Sequence, residues 1–146
     1  MTHYDEGKYA AKHPQGIAPD QNVADQVHAK LIDGRISCAA AHQIAEEYQI
    51  TPAEVGKTID LLEIRINMCQ LGLFGHSPQK KIVQPAQQVS VELRDAIAAA
   101  SNDGKLSCAA LWDIARRLNI SKLDASAACE ALEVKISSCQ LGAFGD

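Results

Sequence analysis

The stretch that decides the fold is Asp33-Gly-Arg-Ile-Ser-Cys-Ala-Ala40, because it recurs 70 residues later as Asp103-Gly-Lys-Leu-Ser-Cys-Ala-Ala110. A second stretch, Cys69-Gln-Leu-Gly-Leu-Phe-Gly75, recurs at the same offset as Cys139-Gln-Leu-Gly-Ala-Phe-Gly145. Between residues 33 and 75, 18 of 43 positions are identical to their partners, and the alignment needs no gap. The sequence therefore predicts one backbone path that is followed twice.

The size of each copy predicts how the copies are arranged. With its preceding helix each copy is roughly 50–55 residues long, a length that is only marginally stable alone. We therefore expect the two copies to pack together as a pseudo-twofold pair, the single-chain version of a symmetric dimer. The predicted domains are a flexible N-terminal arm at 1–20, a first repeat at 21–75, a linker at 76–88 and a second repeat at 89–146.

Apolar spacing predicts three helices in each copy. In the first helix, Val23, Val27 and Leu31 recur at intervals of four and share one face. The second helix is predicted to begin after Ser37 in one copy and after Ser107 in the other, since serine is a favoured N-cap. The apolar residues after Thr51 in the first copy, and the residues at the matching positions of the second copy, predict the third helix of each copy.

The third helix of the first copy has a full set of start signals. Thr51 is the predicted N-cap, Pro52 suits the first helical position, and Glu54 is the capping-box partner. After this helix, the alternation of Ile64, Ile66 and Met68 predicts a strand. We expect the short stretch at residues 35–37 to pair with it, so that the fold class is mainly α with short β-strands.

The positions of Ala45, Ile50, Val55 and Leu62 match the small residue, turn residue and core anchors of helix-turn-helix units. Each copy therefore resembles a helix-turn-helix of the winged-helix kind over about 50 residues. The resemblance implies two tandem winged-helix-like repeats. The sequence departs from that pattern in one respect, because a wing needs a two-strand hairpin after the third helix and only one strand is predicted there.

The fold resemblance makes DNA one alternative partner, but the chemistry of the third helices disfavours it. Base reading in the major groove uses Arg, Lys, Asn or Gln, and each predicted third helix has one Lys among acidic residues. Residues 1–75 hold 6 basic and 10 acidic side chains, and residues 76–146 hold 8 of each, so the net charge of −4 lies in the first half. The candidate nucleic-acid-binding residues are Lys80, Lys81, Arg116, Arg117 and Lys122.

The duplicated Leu-Gly-x-Phe-Gly motif provides candidate interaction residues. Leu71, Phe74, Leu141 and Phe144 either complete the core of their own copy or form an apolar patch where the copies, two chains or a partner meet. An exposed Phe flanked by Gly would be a good anchor for such an interface.

Four of the five cysteines are duplicated, namely Cys38, Cys69, Cys108 and Cys139. Four thiolates match the usual ligand count of a zinc or iron–sulfur site, and thiols at helix N-termini can be redox-sensitive. The alternative is that they are small buried core residues, as free cysteines usually are. The sequence contains no Cys-x-x-Cys, so we expect no cofactor and keep the metal site as an alternative.

The remaining features exclude several classes of function. The sequence has no apolar run of membrane-spanning length and no secretory signal, so we expect a cytoplasmic protein. It also has no phosphate-binding loop, nucleophile elbow or zinc-protease motif, so we do not expect an enzyme. The sequence predicts a non-catalytic regulatory or protein-interaction module, with a protein partner or self-association. The alternatives are a DNA-binding regulator and a cysteine-ligated metal or redox-sensing module.

Overall fold

In a computed structural model of the chain, which describes residues 8–145, the protein is mainly helical with a few short strands. The described chain divides into two compact units. Unit 1 comprises residues 8–69 together with Gln140–Gly145, and unit 2 comprises Gln70–Cys139.

Unit 1 contains a short 3-10 helix, three α-helices and two strands. In chain order they are the 3-10 helix Tyr9–Lys12, α1 Gln21–Ala29, β1 Arg35–Ser37, α2 Cys38–Tyr48, α3 Pro52–Leu61 and β2 Arg65–Asn67.

Unit 2 contains three α-helices and two strands among its described residues. They are α4 Val91–Ala100, β3 Lys105–Ser107, α5 Cys108–Leu118, α6 Lys122–Ala131 and β4 Lys135–Ser137. From β1 onward, each element of unit 1 has a counterpart in unit 2 whose first and last residues lie 70 positions later.

The helices begin where the capping residues predict. Ser37 Oγ accepts a hydrogen bond from Ala40 N at 3.0 Å, and Thr51 Oγ1 accepts one from Glu54 N at 3.1 Å. These side chains satisfy amides that have no partner inside the helix. The first helix differs from the prediction, because α1 ends at Ala29 and residues beyond it turn toward β1.

The two strands of each unit pair in parallel. In unit 1, Ile36 lies opposite Ile66, and in unit 2, Leu106 lies opposite Ile136. The pairing predicted for residues 35–37 is therefore confirmed. Parallel pairing follows from the connection, since two helices separate the strands and carry the chain back to the same end. Within the described residues each unit has one strand after its third helix, so the hairpin that would form a wing is not formed.

A separate core holds each unit together. In unit 1, Val27, Ile36, Ile44, Val55 and Ile59 have no exposed surface. In unit 2 the equivalent interior is formed by Ile97, Leu106, Leu111, Ile114 and Ala125, all at most 1% exposed. These cores combine residues from all three helices and the first strand, so neither strand pair needs to be stable alone.

The C-terminal motifs belong to different units from the ones that the repeat boundaries predict. Gln140–Gly145 follows the second copy in sequence but is part of unit 1, and the matching segment after Cys69 is part of unit 2. The expected boundaries at 21–75 and 89–146 therefore do not coincide with the compact units. Within unit 1, the Leu141 backbone lies directly against Gly56 of α3.

The segment predicted to be a linker, residues 76–88, is part of unit 2. Ile82 N and Val83 N donate to Gly72 O at 2.9 and 3.1 Å, and Ala86 N donates to Ala127 O at 2.9 Å. The side chain of Val83 is buried. The segment is thus held by backbone hydrogen bonds at its middle and near its C-terminal end. In addition, the described part of the chain has no helix that is long and apolar enough to cross a membrane.

Candidate interaction surfaces

Three of the four motif residues proposed as interaction anchors lie in the interior. Leu71, Phe74 and Leu141 are at most 4% exposed, and Phe144 is half-buried. Leu71, Phe74 and Leu141 are thus covered by the unit to which each belongs, as the core alternative expects, whereas Phe144 keeps part of its surface exposed.

Gly56 explains how the motif segment fits against α3 in unit 1. A Cβ atom at Gly56 would lie 1.7 Å from Leu141 O and 2.6 Å from Leu141 C. Only glycine permits that approach, since real Cβ atoms essentially never come within 3.0 Å of such an atom. Lys12 Nζ donates to Gly142 O at 2.9 Å and holds the next residue of the segment.

Residues 9–13 form an ordered contact with the end of α3. Tyr9 is 3% exposed, and its backbone N donates to Glu63 Oε1 at 3.1 Å while Ala10 N donates to Glu63 Oε2 at 2.6 Å. Lys12 Nζ and His13 Nε2 lie 3.1 and 2.9 Å from Asp60 Oδ2, and the Asp60 side chain is 3% exposed. Within the arm predicted at 1–20, residues 9–13 are thus in contact with two carboxylates of unit 1. Residues 1–7 lie outside the described chain.

The equivalent end of α6 in unit 2 is a cleft of ≈330 Å³. Its walls include Ser126, Cys129, Glu130 and Glu133, which correspond to Gly56, Ile59, Asp60 and Glu63, and it is also lined by Leu73, Lys81, Val134, Lys135 and Ile136.

Polar groups at this cleft differ in how far they are satisfied. Lys81 Nζ lies 2.5 Å from Glu130 Oε1. The buried Ser126 Oγ makes no hydrogen bond, and no hydrogen bond or ion pair reaches the Glu133 carboxylate from the described residues. Burial, aided by the nearby Glu130 charge, raises the pKa of the Cys129 thiol to about 11. That thiol stays protonated at neutral pH and is a poor nucleophile.

A basic and aromatic surface lies where α5 meets α6. Lys122 Nζ lies 4.6 Å from the centre of the Trp112 ring, a cation–π distance. Arg116 Nη2 and Arg117 Nε bond to the two carboxylate oxygens of Asp113 at 2.5 and 2.9 Å. Hydrogen bonds from Arg116 first and Arg117 second lower the pKa of Asp113. Asp113, Arg116 and Arg117 together carry one net positive charge, so this surface is less basic than the Arg116-Arg117 pair alone indicates.

The other two candidate lysines lie on the segment before α4. Lys80 is exposed, and Lys81 is paired with Glu130. The structure thus brings Arg116, Arg117 and Lys122 together on α5 and α6, whereas the charge of Lys81 is partly neutralised by its partner.

The third helices present small, apolar and acidic side chains to the solvent. On α3, Ala53 and Glu54 are exposed, and a cleft of ≈390 Å³ beside them is lined by Asp20, Ile50, Glu54, Lys57 and other residues. On α6, Leu123 is 39% exposed and is followed by the exposed Asp124.

The cysteines lie mainly in the interior. Cys38, Cys69, Cys108 and Cys129 are buried, and Cys139 is half-buried. The described residues contain no group of three or more His, Cys, Asp or Glu side chains that could hold a metal ion. A four-cysteine site therefore has no geometric support in residues 8–145.

Sequence reasoning missed the carboxylate sites at the ends of α3 and α6. Two signals were available. Gly56 interrupts a helical pattern, which usually indicates a close packing contact, and acidic residues recur at the same two places in both copies, Asp60 with Glu63 and Glu130 with Glu133.

Comparison of the chain with protein-family models, with curated proteins and with solved structures finds no match.

Proposed function

We propose that the chain is a non-catalytic protein-interaction module made of two helix-turn-helix-like copies, each with a parallel strand pair in place of a wing. The proposal is supported by the close correspondence of the elements of the two units at an offset of 70 residues. It is also supported by the three-residue turn between α2 and α3, in which Gln49 has a left-handed backbone with φ of 54°.

The observation that carries the proposal is the chemistry of the exposed face of α3. A helix that reads DNA needs Arg, Lys, Asn or Gln aimed at base edges, whereas Ala53 and Glu54 occupy the exposed first turn. The adjoining cleft combines apolar residues such as Ile50 and Leu61 with charges of both signs. A mixed apolar and charged cleft is suited to a protein surface, where an apolar centre is surrounded by polar groups.

The test is affinity capture from the native host with the full chain, with and without nuclease. A second bait carries Ala53→Arg and Glu54→Arg, which place two long cations on the exposed face of α3. A matched control carries Glu92→Arg on α4, which is also exposed. The proposal expects a protein that survives nuclease and the control substitution but is lost from the double variant. If every captured protein is equally retained by all three baits, the face of α3 is not the interaction surface.

A DNA-binding regulator is the second candidate, favoured by the surface formed by Trp112, Arg116, Arg117 and Lys122. Backbone phosphates bind such cations, and the affinity falls steeply with salt. Titrating a labelled random duplex at low salt, with Arg116→Ala/Arg117→Ala as the matched variant, tests this candidate. Salt-dependent binding that the double variant loses would support it. Absence of binding at low salt would eliminate it.

A further inference from the structure

We propose that the cleft at the end of α6 binds a short segment of a partner protein that presents an aromatic side chain, two free backbone N–H groups and a following lysine. This inference rests on the proposed interaction function and names the chemistry of the partner.

Unit 1 shows what occupies such a site. The segment Tyr9-Ala-Ala-Lys12 lies against the end of α3 with the Tyr9 side chain buried. Both oxygens of Glu63 accept backbone N–H groups, and Asp60 accepts the charged Lys12. Each of these is a charge-assisted hydrogen bond, the stronger class of hydrogen bond in proteins.

Unit 2 repeats the receptor groups of that site. Glu133 and Glu130 stand at the positions of Glu63 and Asp60, and the cleft beside them measures ≈330 Å³. Its floor is more accessible than the equivalent floor in unit 1, since Ile136 is 9% exposed against 1% for Ile66. Val134 is half-buried, whereas its counterpart Ile64 is buried.

The substitution of Gly56 by Ser126 accounts for part of this difference. Ser126 carries a Cβ where a Cβ at Gly56 would overlap Leu141 O, so the motif segment of unit 2 cannot lie equally close to α6. The motif segment of unit 2 lines the cleft through Leu73. In addition, Ser126 lines this cleft, and its buried Oγ makes no hydrogen bond.

The charges around the cleft determine which segment fits. Glu133 stands where Glu63 does, and Lys135 lines the same cleft; in the proposed complex the Glu133 carboxylate accepts the two N–H groups as Glu63 does in unit 1. Lys81 already lies on Glu130, so an incoming lysine competes with it. A partner therefore gains most of its affinity from its aromatic side chain and from its hydrogen bonds to Glu133. Its affinity increases further when Lys81 is removed, because its own lysine can then pair with Glu130.

The experiment titrates the full chain with a capped hexapeptide of the sequence of residues 8–13, Lys-Tyr-Ala-Ala-Lys-His, by calorimetry. A second peptide has Ala in place of Tyr. The proposal expects one peptide per chain and no measurable binding of the Ala peptide. Glu133→Gln is expected to weaken binding at least about tenfold, because it removes charged acceptors, and Lys81→Ala is expected to tighten it.

Glu63→Gln is the matched control, because it alters the equivalent carboxylate of unit 1. Melting curves for each variant show that it is folded. Retained binding in Glu63→Gln together with loss in Glu133→Gln supports the inference. The inference is overturned if the peptide does not bind the intact chain. It is also overturned if only Glu63→Gln loses peptide binding, because the peptide would then be exchanging with residues 9–13 in unit 1.

The capture experiment separates this inference from the proposed function. If the peptide does not bind but capture of a nuclease-resistant protein still depends on the α3 face, the cleft inference is wrong and the proposed function stands. If the peptide fails and no protein depends on the α3 face, both fail.

Discussion

Gly56→Ala gives the most direct test of how the C-terminal motif is held in unit 1. The new Cβ would lie 1.7 Å from Leu141 O, against an ordinary contact of at least 3.4 Å. The Leu141 backbone must therefore retreat by roughly half of the normal contact distance. Leu141 and Ala143 are each only 1% exposed, so this retreat disturbs a tightly packed contact.

The size of the effect follows from two opposing contributions. Overpacking of this kind costs about 1–3 kcal/mol, and up to about 5 kcal/mol where a buried leucine loses its site. Replacing glycine by alanine inside a helix stabilises by about 1 kcal/mol. We expect a net loss of about 2 kcal/mol, which corresponds to a fall in Tm of about 4–8 °C for a chain of this size.

The assay is thermal unfolding followed by circular dichroism, with Gly145→Ala as the matched control. A Cβ at Gly145 meets nothing within 4 Å, and its backbone is not left-handed, so the control should melt close to the parent. The reasoning would be refuted by a Gly56→Ala variant that melts at or above the parent temperature. In that case only the gain in helix propensity would be acting, and Leu141 would not lie against α3.

Three further predictions concern the ends of α3 and α6. Ser126→Ala should leave stability unchanged or raise it by about 1 kcal/mol, because the buried hydroxyl has no partner; a loss above 1 kcal/mol in denaturant unfolding would contradict this. Glu63→Gln should lower stability by about 1–3 kcal/mol and expose residues near Tyr9 to proteolysis, since two N–H groups lose a charged acceptor; an unchanged cleavage pattern would count against it. The pKa of Cys129 rises from 9.0 to about 11 on folding, so its contribution to stability is present below pH 9 and is lost as the pH rises toward 11. Cys129→Ala should therefore flatten the loss of stability over that range, and an identical alkaline profile in parent and variant would disprove the assignment.

Local sequence signals were sufficient for the helices and their starts. The caps at Ser37, Ser107 and Thr51 depend on a side chain and amides within three residues, and all three are observed. The pairing of residues 35–37 with the strand after α3 was also predictable. The alternation that included Met68 was misleading at its last residue, because β2 ends at Asn67 and Met68 is 54% exposed with a φ of 52°.

The candidate surfaces were harder to predict because their chemistry depends on pairing. Arg116 and Arg117 form a basic pair in sequence, but Asp113, one helical turn earlier, neutralises part of their charge. Lys81 likewise forms an ion pair with Glu130. The motif residues Leu71 and Leu141 are apolar in any context, and only their burial shows that they are unavailable as anchors.

The sequence alone determined the duplication, the helical class and the capped helix starts, since these follow from residue identity, spacing and short-range hydrogen bonds. Tertiary structure alone decided that Gln140–Gly145 belongs to unit 1, that residues 9–13 fill the site at Glu63, and that the matching site at Glu133 remains a cleft. These outcomes depend on contacts between residues more than 50 positions apart in the chain. At that separation shape and charge select the contact, and a single difference such as Gly56 against Ser126 determines how closely two segments can approach.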